Sequence, residues 1–115
     1  MEPEHIIEET ELKLRLDVIL SLHRALLGEI STPLRGVTVG WSHENREITV
    51  HALFDGEISE ADRASMDMVE TEMMADFPAN FDVNVTCFRI DAPENLNEYT
   101  LQEWAYRRRE YDPLE

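Results

Sequence analysis

Gly36-Val37-Thr38-Val39-Gly40-Trp41 and Ile48-Thr49-Val50-His51-Ala52-Leu53-Phe54, separated by Ser42-His43-Glu44-Asn45-Arg46, set large apolar residues on every second position. A period of two is that of half-buried strands, and a short polar connection is an ordinary hairpin loop, so the stretch predicts a β-hairpin. Val37, Val39 and Trp41 share one face of the first strand, and Ile48, Val50, Ala52 and Phe54 share one face of the second. Gly36 and Gly40 leave the other face of the first strand nearly bare. That predicts either close cover by another backbone or an edge-like strand open to a second copy.

Upstream of the hairpin the period is helical. From about Glu8 to Ile30 the residues Leu12, Leu16, Ile19, Leu20, Leu27 and Ile30 return every three or four positions and predict one buried helical face. Leu12, Leu14, Leu16, Val18, Leu20 and Leu22 also alternate with period two, but the length and the helix-forming composition favour a helix, ended by Gly28 and Pro33. Downstream, Asp55-Gly56 turns the chain, and Ser59 with Asp62 has the spacing of a capping box. A second helix follows, with Met66, Val69, Met73 and Phe77 as its buried stripe and Pro78 as its stop. Phe81, Val83, Val85 and Cys87 then alternate along a third strand to about Ile90. Trp104 and Tyr106 suggest a fourth strand in the tail. The order α-β-β-α-β-β leaves too little chain between strands for a doubly wound parallel sheet. It predicts an α+β fold over residues 1–115 as one domain, with a mostly antiparallel sheet of about four strands and two helices on one face.

The 115 residues carry 25 Asp and Glu against 10 Lys and Arg, a formal net charge of −15. Between Asp55 and Asp82 stand nine carboxylates, with Arg63 as the only basic side chain. Such a field repels phosphate backbones and anionic lipid, which excludes nucleic acid and membrane as partners, and it steers cationic proteins toward itself. Two readings compete for it: a solvated face that keeps the chain soluble, and a docking surface. Cys87 is the only cysteine, so no intramolecular disulfide can form and a reducing, cytoplasmic setting is expected. No apolar run approaches the roughly 20 residues that span a bilayer, and Met1-Glu2-Pro3-Glu4-His5 lacks the basic start of a signal peptide.

Nothing in the sequence spells a reaction centre. His5, His23, His43 and His51 have no metal-ligand spacing, and no nucleophile stands at a recognised distance from a base, so neither enzyme, cofactor nor metal is expected. His23 reads as a hydrogen-bonded structural imidazole beside the helical stripe, and His51 as a surface residue. Pairs such as Glu72 with Asp76 or Asp67 with Glu70 share a helical edge and could hold a cation, but mutual repulsion on a solvated surface is the simpler reading. Met68 and Met74 lie off the buried stripe and suggest either a broadened core or a contact patch. Arg107-Arg108-Arg109, beside Trp104, Tyr106 and Tyr111, resembles a nucleic-acid patch only superficially. Pairing with the chain's own carboxylates, or with an acidic edge of a partner, is the expected use. Cys87 reads as an inert packing residue.

Leu22-His23-Arg24-Ala25-Leu26-Leu27-Gly28, Arg35-Gly36-Val37-Thr38-Val39-Gly40-Trp41, Phe54-Asp55-Gly56-Glu57-Ile58-Ser59, Ala75-Asp76-Phe77-Pro78 and Tyr106-Arg107-Arg108 together resemble a family of small bacterial immunity proteins associated with polymorphic and contact-dependent inhibition toxins. The resemblance transfers no residue roles. It implies a cytosolic neutraliser of a cognate toxin domain, often a nuclease with a basic cleft. On that expectation the partner-binding residues are Asp55, Glu57, Glu60, Asp67, Glu70 and Glu72. Two alternatives stay open: a general interaction or regulatory module, able to form a homodimer through the bare first strand, and a small enzyme or metal binder using His23, His51 and the carboxylates of the second helix.

Overall fold

The computed structural model describes residues 3–110, with side chains from residue 10 onward. Its elements are α1 (Pro3–Leu26), β1 (Leu34–Ser42), β2 (Glu47–Phe54), α2 (Glu60–Ala75), β3 (Asp82–Arg89), a 3-10 turn (Asn97–Tyr99) and β4 (Glu103–Arg107). The sheet order is β3-β2-β1-β4. β1 pairs antiparallel with both β2 and β4, whereas β2 and β3 run parallel because α2 carries the chain back between them. The expected α-β-β-α-β-β order and mostly antiparallel sheet are therefore the observed ones.

Both helices cover one face of the sheet. α1 lies over β1 and β4 and against α2, and α2 lies against β3. Val37 and Val39 of β1, Ile48, Val50 and Phe54 of β2, Met66, Val69 and Met73 of α2, and Val18 and Leu22 of α1 meet in the main core. Burying side chains of this size stabilises the fold by roughly 1.5–3 kcal/mol each. α2 starts as its sequence predicts, with Ser59 Oγ accepting from the Asp62 N–H at 3.0 Å.

α1 buries the other of its two apolar faces. Leu14, Val18, Ser21, Leu22 and Ala25 point into the core, while Leu12, Leu16, Leu20, Leu27 and Ile30 are exposed and Ile19 is half-buried. The expected stripe is thus the solvent side. The physical reason lies in the even-numbered Leu and Val residues, which put apolar groups all round the helix, so that only the fit to β1 and α2 selects a face. The helix also ends earlier than Ile30, at Leu26, before Gly28 adopts a φ of +79°. His23 falls on the exposed side, not among core hydrogen bonds.

β1 is a central strand rather than an edge. Its bare outer face is covered by the chain's own tail: a Cβ on Gly36 would stand 2.7 Å from Trp104 Cζ3, and Gln102 crosses Gly40 and accepts from the Trp41 N–H. A dimer through β1 therefore has no open edge to use. Register slips between Val37 and Thr38, which places Trp104 beside Thr38 and Tyr106 beside Val37. This bulge turns Trp104 and Tyr106 to opposite faces although they are two residues apart. Trp104 joins Leu53, Ile90, Leu96, Phe88 and Tyr99 in a second core under the 91–101 segment, and Tyr106 joins the main one. His51 is drawn in by the same cover: its Nδ1 lies 2.9 Å from the Tyr99 carbonyl and its ring meets Phe88 edge-on. It is half-buried, not a free surface residue.

Candidate functional site

The carboxylates between Asp55 and Asp82 do not form one face. Glu57, Glu60, Asp67 and Glu72 are exposed and make no ion pair among the described residues. Glu60, Asp67 and Met74 are spaced by seven residues, about two helical turns, so they line up along one ridge of α2. That ridge adjoins the flank of Glu70, whose Oε2 accepts from the Val85 N–H of β3 at 2.9 Å. Because β3 is an edge strand, Glu70 ties off a backbone donor that would otherwise invite strand pairing. On the opposite flank, Glu72 shares a surface groove with Ser21 and Arg24 of α1, and Asp76 accepts from Ser21 Oγ at 2.7 Å. Met68 and Met74 are both exposed, one on each flank.

Asp55 belongs to a clamp inside the molecule. Its carboxylate accepts from Arg108 Nη2 at 3.1 Å and from the Ala92 N–H at 3.1 Å. Next to it, Arg35 is 3% exposed, and the Nε and Nη2 edge of its guanidinium donates to the two oxygens of Glu110, at 2.6 and 2.8 Å. The same guanidinium donates to the carbonyls of Ile90 at 2.7 Å and Glu94 at 2.9 Å. Asp91 closes the group by accepting from the Gly56 N–H and from Arg89. The loop that enters α2, the 91–94 segment and the tail after β4 are thereby tied together. Arg108 pairs with the chain's own carboxylates as expected, and Arg107 stacks over the Trp104 ring at 4.7 Å. In the sequence the only signal for Arg35 is an arginine set in a strand between Leu34 and Val37.

Hydrogen bonds from Arg35 hold the Glu110 carboxyl below the usual carboxylate range against the opposing effect of desolvation, and its bond to Glu110 raises Arg35. A carboxyl lowered in the folded state adds stability above its unfolded pKa of about 4.3, and that contribution vanishes as pH falls through the lower folded value. Stability measured by urea unfolding should therefore drop as pH falls below about 5. A Glu110→Gln variant should lose part of that pH dependence. Parallel pH profiles for the two proteins would remove Glu110 from the acid response.

Burial raises the Cys87 thiol, as suits a half-buried packing residue rather than a nucleophile. Among the described residues no group of three or more His, Cys, Asp or Glu is gathered as a metal site, and no helix is long and apolar enough to cross a membrane. Two helices on one face of a four-stranded sheet, with charge displayed outward, define a small α+β protein whose distinguishing features are its surfaces. The model of the MafI2 immunity protein family matches residues 15–110, from α1 to the clamp residue Glu110, and the chain belongs to that family. Membership points to toxin neutralisation, with a toxin as partner, in a family that is generally not enzymatic. A search of curated proteins returns no match.

Proposed function

We propose that this protein neutralises a nuclease toxin in the cytoplasm by laying an acidic surface into the toxin's basic, phosphate-binding cleft. Membership of an immunity family carries the reading. The charge supports the mode of action, since unpaired carboxylates compete for a cleft built to hold phosphates, and inhibition then needs no chemistry in the inhibitor. Glu57, Glu60 and Asp67 form the centre of the proposed interface, with the exposed Met74 in line as an apolar anchor and Glu70 and Glu72 at its rims. Asp55 contributes by holding the entry loop in place.

The purified protein used as bait in a lysate of its source bacterium should retain a basic toxin that high salt releases. With that toxin in hand, Glu57→Lys/Glu60→Lys/Asp67→Lys should slow association about 10- to 100-fold at low salt and flatten its salt dependence. Unchanged association kinetics would take these residues out of the interface. A toxin that does not cleave nucleic acid would overturn the nuclease assignment while leaving neutralisation standing.

A further inference from the structure

Five of the seven exposed large apolar side chains among the described residues lie on the outer side of α1 or just past its end. Leu12, Leu16, Leu20, Leu27 and Ile30 keep 53, 50, 59, 77 and 45% of their surface exposed. Rows of this kind on a water-soluble surface mark contact sites. The charge of the row differs from that of the rest of the molecule. Between residues 12 and 30 stand Lys13, Arg15 and Arg24 against Asp17 and Glu29, and Arg15 and Arg24 pair with Glu103 and Asp76, so the row is close to neutral within a chain of −15. A cationic partner drawn by the acidic ridge gains nothing here, whereas two copies of this chain meet here without the repulsion that separates them elsewhere.

The spacing specifies how they meet. Leu16, Leu20 and His23 follow steps of four and three within α1, the pattern of a helix-pairing seam, and Leu27 stands just past its end. Asp17 and Arg24 are seven residues apart and therefore lie along the same edge of that seam. In a parallel pair this edge would face Ile19 and Leu26 on the other edge, and neither charge would find a partner. In an antiparallel pair each edge faces its own copy. Leu20 then packs on His23, Leu16 reaches the other copy's helix end, and Asp17 of each copy stands opposite Arg24 of the other, a contact that the two-fold axis makes twice. Within one chain Asp17 is held by Lys13 at 2.8 Å and Arg24 by Asp76 at 3.2 Å, both in exposed pairs that exchange partners at little cost.

We propose that the outer face of α1 is a homodimerisation surface, closed by an antiparallel pairing in which Asp17 and Arg24 cross-pair. The dimer leaves Glu60 and Asp67 free, because they lie on the flank of α2 turned toward β3, whereas Glu72, in a groove with Arg24, stands at the border of the dimer. Apart from that border it is independent of the toxin reading.

Sedimentation velocity on the full chain, from about 1 to 300 μM, tests it. The wild-type chain should form a dimer. Leu16→Glu/Leu20→Glu should weaken the dimer about 100-fold or more while keeping the circular-dichroism spectrum and melting temperature of a folded chain, since both positions are exposed. Asp17→Arg and Arg24→Asp should each weaken it about 10-fold, and an equimolar mixture of these two variants should recover a heterodimer of wild-type strength. A wild-type monomer throughout the range would overturn the proposal, as would a dimer indifferent to the two glutamates. Failure of the mixture to recover would overturn the antiparallel arrangement. A monomer whose capture of the toxin is lost on Leu20→Glu would assign the stripe to the toxin instead.

Discussion

Arg35→Ala should lower the free energy of unfolding by about 2–4 kcal/mol, because a buried guanidinium is lost whose carboxylate partner is itself partly exposed. The loss exceeds that of a surface bridge because four acceptor contacts disappear together: two to Glu110 and one each to the carbonyls of Ile90 and Glu94. The two carbonyls would be left partly covered and unpaired, and Glu110 would keep only its bond from Arg108. Thermal unfolding should shift downward by roughly 10–20 °C for a chain of this size. Arg35→Lys keeps the charge but cannot reproduce the two-pronged geometry, so it should fall between the wild type and the alanine variant. Urea unfolding of the three proteins measures the order directly. A loss below about 1 kcal/mol for the alanine variant would mean that water replaces the guanidinium and that the clamp is not structural.

The same clamp shows where sequence reading succeeds and where it stops. α2 was legible because Met66, Val69 and Met73 stand at spacings of three and four among polar neighbours, which leaves one possible buried face. α1 was not, because Leu12, Leu16 and Leu20 compete with Leu14, Val18 and Leu22, and the decision rests on contacts with strands that come later in the chain. Asp55 and Glu57 look alike in sequence. Only the fold, by bringing Arg108 across 53 residues to Asp55, makes the first a structural carboxylate and leaves the second in water. Glu70 and Glu72 separate in the same way, one capping the β3 edge and the other beside α1. The exposure of Met68 and Met74, by contrast, follows from the helical stripe they fall outside. The strand in the tail was visible in Trp104 and Tyr106, yet the bulge that sends them to opposite faces depends on register, which a short segment does not encode by itself.

Gly36→Val should destabilise the protein by about 2–4 kcal/mol through overpacking. The backbone conformation at this position does not require glycine; the space does. A Cβ would meet Trp104 Cζ3 at 2.7 Å and the Tyr106 carbonyl oxygen at 3.2 Å, and neither is the free end of a flexible side chain. The indole packs against the cluster of Leu53, Ile90 and Leu96 and carries Arg107 over its ring, so yielding to the valine disturbs the outer core or the seat of β4. That gives a specific coupling. Trp104→Ala alone should cost about 3–4 kcal/mol by emptying part of the outer core, but in its presence Gly36→Val should lose most of its penalty and the double variant should be more stable than additivity predicts. Chemical unfolding of the four proteins closes the cycle. Strict additivity would show that the valine strains the β1 backbone independently of the indole, and that the bare face of β1 is not there to seat Trp104.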